Sequence, residues 1–206
     1  PRHAERRAPG RFGAWLGATG MRMGPADAIH AGFADHFVPE AEWPALIADL
    51  CAGGDAGLVA ARARTPGPSR LPQLRMMVDR HFASADPRTI EASLAADDSD
   101  FARDTLSALR RNSPLSVAVA LEMQRRLGPA PALRDALEQE FRVTFRAQQD
   151  TDFLEGVRAL TIDKDRRPRW RHAGAEAVPQ TEIAALLAPL GRDTLTFTES
   201  GTEPGS

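Results

Sequence analysis

Apolar residues along the chain recur at spacings of three and four far more often than they alternate, which predicts a mainly α-helical protein. Phe12, Trp15 and Leu16 share one face of a helix over 9–16, with Gly17 and Gly20 placed to end it. Gly24-Pro25 sets proline at a first helical position ahead of Ala26, Ala28 and Ile29, and Gly32 closes this second helix. Phe33, Phe37 and Val38 alternate up to Pro39 and make the one strand candidate. Helix returns over 40–50.

Gly53, Gly54, Gly57, Pro66, Gly67 and Pro68 then interrupt any period and predict a loop or linker with room for one short helix. The expected organisation is a remnant of a larger core over 1–50, a linker over 51–70, a helical domain over 71–197 and a disordered tail over 198–206. Within the helical domain, Leu74, Met77 and Val78 mark a helix over 71–82. Asp86-Pro87 caps a helix with Ile90 and Leu94 inward, and Ser99 caps one that carries Phe101, Leu106 and Leu109.

Ser113-Pro114 opens a helix in which Leu115, Val119, Met123 and Leu127 recur at every fourth position until Gly128-Pro129. Leu133, Leu137, Phe141 and Phe145 repeat that spacing and are read as a buried helix face rather than a cofactor groove. Asp152 and Glu155 form a capping-box pattern before Val157 and Leu160. Thr181 precedes Ile183, Leu186, Leu187 and Leu190, and Gly191 ends the run.

Charge narrows the partners. With 26 basic and 28 acidic side chains the chain has no bulk field to gather nucleic acid or an anionic membrane, and neither is an expected partner. No apolar run approaches the roughly 18 residues that span a bilayer. Cys51 is the only cysteine, so no disulfide closes within the chain and the expected compartment is reducing and cytoplasmic. It is read as a small packed residue at a helix end. The chain starts at Pro1 without methionine, and a piece of a larger protein is the expectation.

His3, His30, His36, His81 and His172 show no ligand spacing, and no metal is expected. His30 and His36 are read as surface or packed histidines. No nucleophile elbow, phosphate loop or dinucleotide fingerprint is present. Asp97, Asp98 and Asp100 read as a solvated helix start. What remains is the charged run 152–170, which holds Lys164, the only lysine, several arginines and Trp170. Such cations pair with phosphate and such a ring stacks on a flat base, the demands of a nucleotide-bearing ligand such as coenzyme A. A solvated turn pinned by Trp170 accounts for the same residues.

That run, D-F-L-E-G-V-R-A-L-T-I-D-K-D-R-R-P-R-W from Asp152 to Trp170, resembles the C-terminal signature of 3-hydroxyisobutyryl-CoA hydrolases, a branch of the enoyl-CoA hydratase/isomerase (crotonase) superfamily. Asn112-Ser113-Pro114-Leu115-Ser116 resembles the family's S-P-x-S helix start. Leu137 to Val143 resembles its E-F-R helix, and Phe82 to Leu109 its pair of short helices. Trp15 to Pro39 resembles its L-A-L-T-G run ending in H-F-V-P. Together the likeness covers about residues 11 to 197.

The resemblance implies the helical C-terminal portion of a crotonase-like α/β fold whose N-terminal β-β-α half is absent. That half supplies backbone N–H groups as an oxyanion hole, each donor worth about 10² to 10³ in rate, and acidic catalytic residues. Residues 1–8 stand where the acidic segment should end and do not resemble it. The implied parent activity is hydrolysis of a short β-hydroxyacyl-CoA thioester of the valine-breakdown type. No catalytic residue lies in this chain and no turnover is expected from it alone. Coenzyme A enters only as part of the substrate, with no separate cofactor.

In related hydratases an E-G pair is followed by a lysine near the adenine phosphate of coenzyme A. Glu155-Gly156 precedes Lys164 with one residue more than that spacing, and the resemblance implies a coenzyme A contact at Lys164. A hydratase or isomerase on the same scaffold is the alternative, because a fold does not dictate a reaction. A non-catalytic helical interaction or oligomerisation module is another, and a homo-oligomer stays open.

Overall fold

The computed structural model describes residues 10–128 and 131–197. His3, the 1–8 segment, Pro129 and the tail expected over 198–206 lie outside the described residues. The chain is helical, with no strand among the described residues, and divides into two compact units between Asn112 and Ser113. The 51–70 stretch, expected as the linker, lies inside the first unit, and the helical domain expected over 71–197 is shared between the two.

The first unit contains α1 (Phe12–Thr19), α2 (Pro25–His30), α3 (Trp43–Cys51), α4 (Gly57–Ala61), α5 (Leu71–His81), α6 (Pro87–Ala95) and α7 (Asp100–Arg111). Helix α1 runs through Gly17 and stops at Gly20, whose φ of 63° is left-handed and whose N–H reaches the Leu16 carbonyl. A side chain would be strained there, so glycine suits the cap. Phe12 and Trp15 are buried, and α1 packs on α5 and α7. Trp15 donates its indole N–H to Thr105 Oγ1 at 3.3 Å. Leu71, Val78, Phe82, Ile90, Leu94 and Leu109 complete this core.

The strand expected at 33–38 does not form. A strand is held by a neighbour that pairs its N–H and C=O groups. Here the Phe37 carbonyl accepts one bond, from Arg64 N–H at 2.8 Å, and Phe33 is exposed. The expected 40–50 helix begins as a 3-10 turn at Glu40–Glu42. Cys51 is exposed rather than packed, because α3 buries only Leu46.

The breaker-rich 52–70 stretch holds α4 and is tied down at its far end. The buried carboxylate of Asp27 accepts from Ser69 Oγ at 2.7 Å and from Arg70 N and Nε at 3.0 and 3.1 Å. These donors hold Asp27 below its ordinary carboxylate range against the opposing effect of burial.

The second unit contains α8 (Pro114–Leu127), α9 (Leu133–Asp150), α10 (Phe153–Val157) and α11 (Gln180–Leu186). Its core is Leu115, Ala118 and Val119 of α8 against Ile183, Leu186 and Leu187, with Met123, Val143 and Val178 at its edge. Helix α9 defies its pattern. Leu133 is 70% and Phe145 51% exposed, Leu137 is exposed as well, and of the row predicted as a buried face Phe141 alone is half-buried. Helix α9 instead buries Gln139 and turns Arg142 and Arg146 toward the end of α11.

Candidate functional site

Hydrogen bonds to Ser113 and Asp152 fasten the segment from Asp152 to Arg171 to the start of α8. Ser113 caps α8 by accepting from Ser116 N–H at 3.1 Å, and its hydroxyl donates to Asp152 Oδ2 at 2.5 Å. The other oxygen of the buried Asp152 accepts from Arg171 N–H at 2.9 Å. One carboxylate thus ties both ends of the segment to the start of α8. The S-P-x-S and D-F-L-E-G elements, about forty residues apart in sequence, meet at this bond.

The expected capping box does not form. Asp152 makes no side-chain cap to α10, because its oxygens are taken by Ser113 and Arg171. Glu155 is occupied by Arg158, at 2.9 and 2.8 Å, and by Arg169 N–H at 2.6 Å. Thr181 likewise lies within α11, which has no side-chain cap.

After α10 the backbone widens into a π turn over Arg158–Ile162 and then doubles back. Such turns interrupt the regular ladder and leave side chains aimed where an α-helix would not put them. Lys164 and Arg166 follow with φ of 56° and 54°, the only non-glycine residues of positive φ among the described ones. Arg166 N–H closes the turn on the Ala159 carbonyl at 3.0 Å. Two left-handed residues on either side of Asp165 cost of order 1–3 kcal/mol each and persist only where surrounding contacts hold them.

Arg158 supplies those contacts. Its guanidinium has five N–H donors in a fixed fork, and each has an acceptor. Nε and one Nη serve Glu155, the other Nη serves Asp163 at 2.6 Å and Asp165 at 2.9 Å, and the fifth bond goes to the Arg167 carbonyl at 3.1 Å. Asp165 also accepts from Arg167 N–H at 2.8 Å. Glu155 is pulled down to about 2 by Arg158 and then by the Arg169 N–H. Asp165 is lowered by the Arg167 N–H and then by Arg158, while Arg158 itself is raised by the three carboxylates. All of these groups stay charged near neutrality, so none is poised to move a proton. Trp170 closes the segment over Gly156, where an added Cβ would lie 3.6 Å from the ring.

Lys164 projects from this turn and is exposed. Arg158 engages Glu155, Asp163 and Asp165, and neither Lys164 nor Arg166 forms an ion pair with a carboxylate among the described residues. A rigid turn carrying unpaired cations suits a phosphate.

The other candidates serve structure. His30 and His36 are exposed. His172 meets Glu182 at 2.8 Å. His81 is buried, with Nδ1 2.9 Å from Ser93 Oγ and Nε2 3.2 Å from Asp97 Oδ2, and its ring stacks with Phe101. Asp97 also accepts from Ser99 N–H, which lowers its carboxyl first, and Asp100 pairs with Arg103. No grouping of His, Cys, Asp or Glu among the described residues could hold a metal ion. No described helix is long and apolar enough to cross a membrane. The first unit has a cleft of about 420 Å³ lined by Trp15, Leu74, Met77, Phe101 and Asp104 among others.

Pattern reading missed the Arg158 hub and the buried His81. The hub had a signal: an arginine three residues after Glu155 and followed by the D-x-D of Asp163 and Asp165 has acceptors on both sides. His81 had none, since its partners Ser93 and Asp97 sit on a neighbouring segment.

Comparison with known proteins gives the class. Residues 2–187 match the enoyl-CoA hydratase/isomerase family, and the chain belongs to that family, within the crotonase superfamily. A mitochondrial 3-hydroxyisobutyryl-CoA hydrolase of Gallus gallus is 30% identical over 92% of this chain and 52% of its own length. The crystal structure of an enoyl-CoA hydratase from Rhodobacter sphaeroides superposes with a TM-score of 0.82 at 53% identity, covering 95% of this chain and 56% of that one. A carnitinyl-CoA dehydratase from Mycobacterium thermoresistibile gives the same TM-score at 33% identity and the same coverage. The chain spans about half the length of the curated relatives it matches.

Proposed function

We propose that this chain is the helical part of an acyl-CoA thioester hydrolase of the 3-hydroxyisobutyryl-CoA type, and that its 152–171 turn contacts coenzyme A through Lys164. The observation that carries the contact is the Arg158 hub, which engages Glu155, Asp163 and Asp165 while the exposed Lys164 and Arg166 form no ion pair among the described residues. A hydrolase is supported by relatives of that name at about 30% identity over most of this chain. Substrate carrying coenzyme A is common to the names of the relatives and of both solved structures.

Catalysis belongs to residues outside this set. The charged groups of the turn are held ionised and carry no proton transfer in this reading. A hydratase is the second reading, favoured by the 53% identity to an enoyl-CoA hydratase structure. The lone exposed cysteine fits a reducing cytoplasmic setting, and the mitochondrial relatives offer the other, which fractionation of the native cells separates.

The protein at its native length, assayed on 3-hydroxyisobutyryl-CoA and on crotonyl-CoA, tests the reading. Release of free thiol from the first supports the hydrolase, whereas hydration of the second without thiol release replaces it with the hydratase. Lys164→Ala is expected to raise KM for the thioester about tenfold at unchanged kcat.

A further inference from the structure

The structure assigns a positioning role to Arg158: it holds the 163–167 turn in its left-handed form so that Lys164 and Arg166 present their cations to the phosphates of coenzyme A. The inference rests on the coenzyme A reading of Lys164 and adds a residue that does not itself touch the ligand.

Three features converge. Arg158 makes five bonds that span Glu155, Asp163, Asp165 and the Arg167 carbonyl, from the body of the segment to its tip. Asp165, which it holds, sits between the two residues of positive φ. Asp163 and Asp165, which flank Lys164 in sequence, are both engaged by Arg158. Without the guanidinium, Asp163 and Asp165 would lose their partner, and each stands next to Lys164 in sequence. They would be free to pair with it, and the unstrained backbone would no longer be opposed.

A lysine cannot replace this. Its ammonium is a point charge with three donors and cannot bridge three carboxylates and a carbonyl in a plane. Charge alone and positioning therefore predict opposite things for two substitutions. Arg158→Lys keeps the charge and should be silent if charge is all that matters. Asp165→Asn removes a negative charge beside Lys164 and should tighten phosphate binding by electrostatics alone.

The experiment is calorimetric titration of coenzyme A into the native-length protein and its Lys164→Ala, Arg158→Lys and Asp165→Asn variants, with trypsin cleavage after Lys164 followed in parallel. The expected result is that all three variants weaken coenzyme A about tenfold, and that Asp165→Asn combined with Lys164→Ala weakens it by less than the product of the two single effects. Trypsin should cut faster after Lys164 in Arg158→Lys and Asp165→Asn. Wild-type or tighter affinity in those two variants, with Lys164→Ala still weak, overturns the positioning role and leaves the coenzyme A contact standing. Unchanged affinity in Lys164→Ala overturns the contact itself and the positioning role with it. Both variants carry exposed or half-buried substitutions, and Asp165→Asn keeps the test alive should Arg158→Lys fail to fold.

Discussion

Helices α8 and α9 carry the same signal and meet opposite fates. Each places an apolar residue at every fourth position, Leu115, Val119, Met123 and Leu127 in one and Leu133, Leu137, Phe141 and Phe145 in the other. In α8, Leu115 is 1% and Val119 3% exposed, against Ile183, Leu186 and Leu187. In α9 all of the row but Phe141 is exposed. Toward α11, α9 sets Val143 at the edge of the core and two arginines beside it: Arg142 Nη1 reaches the Leu187 carbonyl at 3.3 Å, and Arg146 Nη1 reaches those of Leu186 and Ala188 at 3.0 Å. A short helix leaves its last carbonyls unpaired, and an arginine fork from a neighbour satisfies several at once. Periodicity reports that a helix has two faces; it does not report which one a neighbour needs.

The contrast can be broken most strongly at α8. Leu115→Ala should cost about 2–5 kcal/mol by emptying the core of the second unit, read as a lower urea midpoint. Arg146→Ala removes the donors to the Leu186, Ala188 and Pro189 carbonyls and is expected to cost about 1–2 kcal/mol in the same measurement, although it removes no apolar contact from the row.

A smaller effect separates the charged end of α8. Glu122 accepts from Arg125 and Arg126 at 2.7 to 2.8 Å and is lowered to about 2 by Arg125 first, then Arg126. Its carboxyl is lowered in the folded state, so this stabilisation is present above about pH 4.5 and is lost as pH falls toward 2. Midpoints followed across that window should fall more steeply in the parent than in Glu122→Gln, by less than ~1 kcal/mol because both arginines are largely in water. The smallest effect is Leu133→Ala, within ~0.5 kcal/mol, since that side chain is already exposed. A loss comparable to that of Leu115→Ala would show that the α9 row is covered in solution.

Local signals were legible. Asp86, Ser99 and Ser113 each accept the backbone N–H that a cap should, because a cap is satisfied by atoms two or three residues away. The resemblance carried by Asp152 to Trp170 and the S-P-x-S start also led to the right family. Reading stopped where a residue's partner is distant or has competitors. The 33–38 segment had the alternation of a strand and, among the described residues, no strand to pair with. Asp152 and Glu155 had the spacing of a capping box, but Ser113, Arg158 and the Arg169 and Arg171 N–H groups claimed their oxygens.

Sequence alone determined the helical class, most helix starts and the singular position of Lys164. Those properties depend on residue type and on neighbours within one or two turns. Tertiary structure decided which apolar rows are covered, that Cys51 is exposed, and that Arg158 gathers three carboxylates into a strained turn. Each of those depends on groups brought together by backbone that a linear pattern does not encode: burial needs an opposing surface, and a five-bond guanidinium needs a chain that folds back to meet it.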